Sequence, residues 1–152
     1  MAAAVAVVLL AGCSGSGSGA SGNVFKLKVG DCVVPPTEIK AEITSVTVVP
    51  CSKPHSQEVF AAVNYAPPRS AATTTTGNVF PGEPALRTFA DGACLQQYAA
   101  YVGLDYRDSS LFYTYLLPSA RSWNSSSHDR KVVCLVTTTG QQLTASVKGS
   151  RQ

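Results

Sequence analysis

Charged residues are scarce in this sequence. They make up 14% of its 152 residues, a low share for a cytosolic protein. The 12 basic residues are scattered, so no run of them would follow a phosphate backbone, and nucleic-acid binding has little support. The net charge of +3 allows only a weak attraction to anionic lipid headgroups. With 45% hydrophobic residues, the chain has the length and apolar content of one folded domain.

The sequence also lacks an apolar run long enough to cross a bilayer as a helix, which takes roughly 20 residues. The small and apolar residues Ala2 to Ala11 match the shorter core of a secretory signal peptide. They end in Leu10-Ala11-Gly12-Cys13, which resembles the lipobox of bacterial lipoproteins, where a signal peptidase cuts before the cysteine and its sulfur carries diacylglycerol. We therefore expect a signal peptide over residues 1–12 and lipidation at Cys13.

The start of this segment departs from the usual signal peptide. Met1 to Leu10 carries no Lys or Arg, and we explain this by a true start codon upstream. The alternative is an apolar N-terminal strand with a chance cysteine. The stretch Ser14 to Gly22 favours the lipoprotein, because its Ser and Gly residues are typical of a flexible coil. We assign 13–23 to the lipidated cysteine and spacer and 24–148 to the domain, held on the outer face of the plasma membrane.

The remaining cysteines show no C-x-x-C spacing of the kind that zinc sites use. An even number in an exported domain predicts two disulfides rather than a metal site. Four cysteines allow three connectivities, and we favour two pairs because the first closes a short loop and the second ties a helix to a late strand: Cys32–Cys51 and Cys94–Cys134. We expect no metal and no cofactor.

Hydrophobic periodicity predicts strands and one helix. The helix begins near Glu83-Pro84 and ends at Gly103, because proline suits a first turn and glycine a helix stop. Alternation and β-branched residues predict strands at Val24–Val29, Ile43–Val49, Glu58–Tyr65, Leu111–Leu117, Lys131–Thr138 and Leu143–Val147. Ala66 to Pro81 reads as an exposed loop, and Ser119 to His128 as a loop or short helix. The order predicts an α+β fold, with an antiparallel sheet of about five or six strands and one main helix packed on it.

A set of motifs runs through the domain in a fixed order. They are Val29-Gly30-Asp31-Cys32, Val48-Val49-Pro50-Cys51, Pro54-His55 with Glu58-Val59, Cys94 in a helix, Pro118 before Trp123, Asp129-Arg130 before Cys134, and Gly140 with Leu143. In this set the chain resembles the septum-formation domain of actinobacterial lipoproteins and membrane proteins. The polar stretch Asn124 to Ser127 departs from it. The resemblance implies a link to septum formation and no reaction, ligand or catalytic residue.

Three polar groupings are candidates for catalytic sites, and each has a structural alternative that we prefer. His55 and Glu58 would form a general acid–base pair, or a turn histidine beside a disulfide. His128-Asp129 would orient a serine among residues 125–127, but no G-x-S-x-G elbow is present. Asp129-Arg130 is more typical of an ion pair or a turn leading into a strand. We expect no catalytic residues.

Candidate binding residues are aromatic. Trp123, the single tryptophan, would stack on a sugar ring of the cell wall if exposed, with core packing as the favoured alternative. Tyr113 and Tyr115 share one face of a strand. Whether that face is exposed to solvent decides between sugar binding and core packing. His55 completes the candidate set.

We therefore expect a non-enzymatic, lipid-anchored interaction domain outside the cytoplasm, with a division or cell-wall protein as partner. A lipoprotein that binds a small ligand or glycan through the aromatic face is the alternative. A hydrolase ranks last.

Overall fold

A computed structural model describes residues 19–38, 42–67 and 79–152. The predicted signal peptide, Cys13 and most of the spacer lie outside the described residues, as does most of the loop predicted over Ala66 to Pro81. The strands are β1 (Ala20–Asn23), β2 (Cys32–Val34), β3 (Ser45–Val49), β4 (Gln57–Asn64), β5 (Phe112–Leu116) and β6 (Lys131–Thr137). The helices are α1 (Glu83–Val102) and α2 (Ala120–Asn124), with 3-10 turns at Val24–Lys26 and Tyr106–Asp108.

The six strands form one sheet in the order β1-β3-β2-β4-β6-β5, and every neighbouring pair is antiparallel. The predicted α+β fold with an antiparallel sheet and one main helix is confirmed. β6 lies in the interior of the sheet between β4 and β5, which explains its nearly continuous apolar sequence.

Helix α1 has the predicted start and stop. Pro84 lies in its first turn, and Gly103 ends it with φ of 84°, in the left-handed region that glycine adopts without strain. Its buried residues recur at helical spacing along one face, and that face packs on the sheet: Leu86, Ala90, Cys94, Tyr98, Tyr101 and Val102.

Each face of the sheet has its own apolar core. On the α1 side, Val132, Cys134 and Val136 of β6 meet the helix, and a register shift in β4 lets both Phe60 and Ala61 join them. On the opposite side, alternate residues of β6 meet the segment that follows β1. The members of this second cluster include Val24, Leu27, Val33, Val46, Val59, Val133 and Leu135.

Both favoured disulfides are present. Cys32–Cys51 joins β2 to the turn after β3, with Cα atoms 5.2 Å apart. Cys94–Cys134 joins α1 to β6, with Cα atoms 5.6 Å apart, and both of its cysteines are fully buried. The second bridge therefore ties α1 to β6 inside the apolar core that the helix and the sheet share.

Two predicted strands are wrong. Val24–Val29 is instead a 3-10 turn followed by extended chain, because the Asn23 side chain accepts a hydrogen bond from the Phe25 backbone N–H. Within 79–152, Leu143–Val147 forms no strand. Leu143 makes a single antiparallel bridge with His55, and the Val147 N–H bonds to a side chain instead of a neighbouring strand.

The structure adds two strands to those expected. β1 occupies the end of the predicted Gly/Ser spacer, where Ala20–Asn23 pairs with β3, so this part of 13–23 is a strand rather than coil. β2 is only three residues long, which is too short for its alternation to be recognised.

Candidate functional site

A groove of about 510 Å³ opens beside the C-terminal end of β5. The end of β5, the start of α1, the start of α2 and the segment at Glu42 and Ile43 converge on it. Its walls are largely apolar and include three aromatic rings, from Phe25, Phe80 and Tyr115. Its charged lining residues are Glu42, Glu83, Arg87, Asp129 and Lys131.

Local contacts fix the walls of this groove. Ser119 caps α2 and also donates a hydrogen bond of 2.5 Å to the Glu42 carboxylate, which joins α2 to the segment before β3. The Lys131 ammonium donates to the Phe25 carbonyl oxygen at 2.9 Å. Arg87 pairs with Glu83 one turn away on the exposed side of α1. An apolar, aromatic groove with a few charges is suited to holding a small or extended ligand.

Tyr113 and Tyr115 share the α1 side of β5, as their alternation predicts, and both are half-buried. The Tyr113 ring packs against Phe60, Tyr98 and Tyr106, and its hydroxyl donates to the Asp91 carbonyl oxygen at 3.4 Å. Burial raises the pKa of Tyr113, and the nearby Asp91 carboxylate adds to this effect.

Tyr115 lies further along β5, where it lines the groove. Its pKa is raised by burial first and then by a hydrogen bond with Asp91, while Arg87 opposes the shift. Tyr115 is thus the one of the four candidate binding residues that lines the groove.

Trp123 is buried, with 1% of its surface exposed. Its indole packs edge-on against Tyr65 and Phe80, and the Arg130 guanidinium carbon lies 3.6 Å from the ring centroid. Arg130 also donates to the carbonyl oxygens of Trp123 and Asp129, at 2.9 and 3.0 Å. This placement agrees with core packing, because no face of the ring is open to a sugar.

His55 is fully buried in the turn beside the Cys32–Cys51 bridge. Its ring Nδ1 lies 2.7 Å from the Lys53 carbonyl oxygen, so Nδ1 carries the proton, and its backbone exchanges two hydrogen bonds with Leu143. Nε2 has no hydrogen-bond partner among the described residues. The ring therefore orders a turn and is closed to solvent.

Glu58 is also fully buried, and its carboxylate is occupied by three donors. The Tyr101 and Ser146 hydroxyls donate to Oε1 at 2.5 and 2.6 Å, and the Val147 N–H donates to Oε2 at 2.8 Å. Burial, and then the hydrogen bond to this carboxylate, raise the pKa of Tyr101 above the ordinary value of tyrosine. Glu58 thus joins β4, α1 and the C-terminal segment, and its partners are those of a structural carboxylate.

The other polar groupings are bonded locally. Ser125 donates to the Ser122 carbonyl oxygen at 2.8 Å and lies 2.5 Å from the Ser127 hydroxyl. The Asp129 carboxylate accepts from the Lys131 N–H at 3.1 Å. Asp129 and Arg130 therefore form a turn that leads into β6.

The sulfurs of Cys32 and Cys51 and a carboxylate oxygen of Glu58 lie within 4.8 Å of one another. This group does not fit a metal ion, because both sulfurs are joined in a disulfide and the carboxylate already accepts three hydrogen bonds.

Sequence reasoning missed most of the groove. Phe80, Arg87 and Leu117 come from separate elements, and no local pattern marks them as neighbours. The Glu58–Tyr101 contact joins residues 43 positions apart, which spacing does not reveal.

None of the helices within 19–38, 42–67 and 79–152 combines the length and apolarity needed to cross a bilayer. In comparisons with known proteins, residues 29–152 match the model of a family described as "Septum formation". No curated protein and no solved structure matches the chain.

Proposed function

The chain belongs to the septum-formation family, and from this premise we propose that it is a lipid-anchored, non-enzymatic interaction domain. It acts outside the cytoplasm, at or near the division septum. The disulfide-fixed domain presents its surface to a division or cell-wall protein, while an acylated Cys13 holds it at the plasma membrane.

The main support for this proposal is that the five cysteines fall into two groups with different roles. Four are consumed in two disulfides inside the domain, which supports maturation in an oxidising compartment. Cys13 is left over, ahead of the domain, in a sequence that resembles a lipobox. A single mechanism, export followed by acylation, accounts for all five.

The contacts of the two strongest catalytic candidates support a non-enzymatic role. His55 is closed to solvent, and three donors saturate the Glu58 carboxylate. A general base needs access to a substrate proton, and neither side chain has it in this fold.

Crosslinking in intact cells followed by pull-down of the acylated protein tests this proposal. We expect division or wall-synthesis proteins among the captured partners. A Cys13→Ser variant is the matched control, because it keeps the domain and removes the anchor, and we expect it to lose these partners and leave the membrane fraction. Capture of the same proteins by both forms would contradict a role for the anchor.

The groove favours a second candidate function, the binding of a small ligand or glycan. Its three aromatic rings offer stacking surfaces, and its carboxylates offer hydrogen-bond acceptors to sugar hydroxyls. Titration of the protein with N-acetylglucosamine oligomers tests it, with chemical shifts of the Phe25 and Phe80 rings as the readout. Saturable shifts that a Tyr115→Ala variant abolishes would support this function, and an unchanged spectrum would exclude it for this ligand class.

A further inference from the structure

The outer edge of the sheet at β5 has no partner among the described residues. β5 pairs with β6 on one side only, from Phe112 opposite Thr137 to Leu116 opposite Val133. β1 forms the other edge, so the strand nearest the predicted anchor lies at the opposite end of the sheet. The β5 edge therefore faces away from the point of attachment.

β5 lacks the devices that normally protect a sheet edge. Its sequence Phe-Tyr-Thr-Tyr-Leu contains no charge and no proline, and its register with β6 is continuous, without a bulge. Phe112 leaves 44% of its surface exposed. Natural edge strands carry lysine, proline or bulges to prevent pairing, so an edge without them is suited to pairing.

The strand is also chemically symmetric about Thr114, with a tyrosine on each side and an apolar residue at each end. We propose that β5 pairs antiparallel with β5 of a second copy of this chain, about a twofold axis through Thr114. Phe112 then lies opposite Leu116 of the second copy, Tyr113 opposite Tyr115, and Thr114 opposite Thr114. Each position meets a residue of similar chemistry on the same face, as an isologous interface requires.

The twofold axis also fixes how the two α1 helices lie. Because the axis is perpendicular to the sheet, both helices are on the same face. Arg87 and Asp91 of α1 lie next to Tyr115, and Asp91 extends to Tyr113. Because Tyr115 of one copy meets Tyr113 of the other, the Arg87 end of one helix faces the Asp91 end of the second.

Two five-residue strands make a small interface, so the pairing is weak in dilute solution. Attachment to one membrane would raise the effective concentration of the copies and strengthen it. The inference goes beyond the proposed function and does not require it, because strand pairing is a property of the domain itself.

Crosslinking of a Thr114→Cys variant of the full chain tests the inference. Directly opposed residues of an antiparallel pair have Cβ atoms about 5 Å apart. A short bifunctional maleimide, added to intact cells, should therefore convert the variant to a covalent dimer. We expect at least a tenfold higher dimer yield than for a Thr47→Cys control, whose site is exposed on β3 and separated from β5 by three strands. The wild-type chain reports any background from Cys13, so a failure of acylation is visible separately.

A second substitution shows whether the β5 edge itself makes the contact. Phe112→Lys in the Thr114→Cys background should lower the dimer yield about tenfold. Val29→Lys should leave it unchanged, since it also replaces an exposed apolar side chain but lies before β2, away from β5. Matching far-UV circular dichroism of the two variants would show that the fold is retained. Equal dimer yields from the Thr114→Cys and Thr47→Cys variants, or crosslinks of the Thr114→Cys variant to other proteins only, would overturn the inference.

Discussion

The phenol of Tyr101 donates a 2.5 Å hydrogen bond to the carboxylate of Glu58, 43 residues away along the chain, inside the core. The same carboxylate holds the Val147 N–H and the Ser146 hydroxyl, so one buried group joins α1, β4 and the C-terminal segment. A buried carboxylate is costly unless it is hydrogen-bonded, so this fold depends on the full set of donors.

Removal of the Tyr101 hydroxyl should therefore destabilise the protein. We expect Tyr101→Phe to lower the free energy of unfolding by about 1.5–3 kcal/mol, the usual cost of a lost hydrogen bond to a charged group. Urea unfolding measures this change. Tyr113→Phe is the matched control, because its hydroxyl makes only a 3.4 Å contact at the surface, and we expect a loss of less than about 0.5 kcal/mol. Equal losses in the two variants would contradict a structural role for Glu58.

The same contact predicts a dependence of stability on alkaline pH. The pKa of Tyr101 is raised in the folded protein by burial and by the Glu58 carboxylate, whereas an unfolded tyrosine ionises near pH 10. The stability from this shift is fully present below about pH 10 and is lost as the pH rises above it, because the unfolded state then releases the proton first.

Tyr101→Phe removes this dependence, so the stability difference between the wild type and the variant should shrink at high pH. We expect it to be about 1.4 kcal/mol smaller at pH 11 than at pH 8. Urea unfolding at both pH values provides the comparison. Tyr98, Tyr113 and Tyr115 also have raised pKa values and remain in both proteins, so they cancel. A difference that stays constant or grows would show that Tyr101 ionises as freely when folded as when unfolded.

Much of the fold could be predicted because local signals and tertiary packing agree. Pro84 and Gly103 mark the ends of α1, and the apolar run of β6 fits a strand buried on both faces. The predicted strand at Leu111–Leu117 is present as β5, although it is an edge strand and only half-buried. Its position in the sheet depends on the pairing of other strands, which its own sequence does not contain.

The failures have physical causes outside the local pattern. Val24–Val29 alternates like a strand, but the Asn23 cap turns the chain and places Val24 and Leu27 in the core of the sheet face opposite α1. Leu143–Val147 is apolar enough for a strand, but the buried Glu58 carboxylate takes the Val147 N–H. Apart from Tyr115, the groove could not be predicted, since its walls come from segments far apart in sequence.

The two disulfides should differ in their contribution to stability. Their cysteines are 40 and 19 residues apart, and restriction of the unfolded chain predicts contributions of about 4 and 3 kcal/mol for Cys94–Cys134 and Cys32–Cys51. Replacement of each pair by alanine, followed by thermal unfolding, gives the two losses. We expect the Cys94–Cys134 pair to be the more costly, also because both of its side chains are fully buried. A larger loss from the Cys32–Cys51 pair would contradict this ranking.

The contact between Arg130 and Trp123 gives a spectroscopic prediction. Arg130→Ala should lower the free energy of unfolding by about 2 kcal/mol, since a half-buried cation–π contact and two hydrogen bonds to carbonyl oxygens are lost. Because Trp123 is the single tryptophan, its emission should also shift to longer wavelength as water reaches the ring.

Arg130→Lys is the matched variant for this test, because it keeps the charge but not the planar guanidinium that stacks on Trp123 and donates from Nη1 to both carbonyl oxygens. We expect it to recover part of the stability. If Arg130→Ala had the same emission maximum and stability as the wild type, the contact would be unimportant.

Intact-mass spectrometry of the protein purified from its native membranes tests the account most directly. It predicts a chain that begins at Cys13, carries diacylglycerol on that sulfur, and has its other four cysteines in two disulfides. An unacylated chain that retains residues 1–12, with every cysteine as a free thiol, would contradict the account.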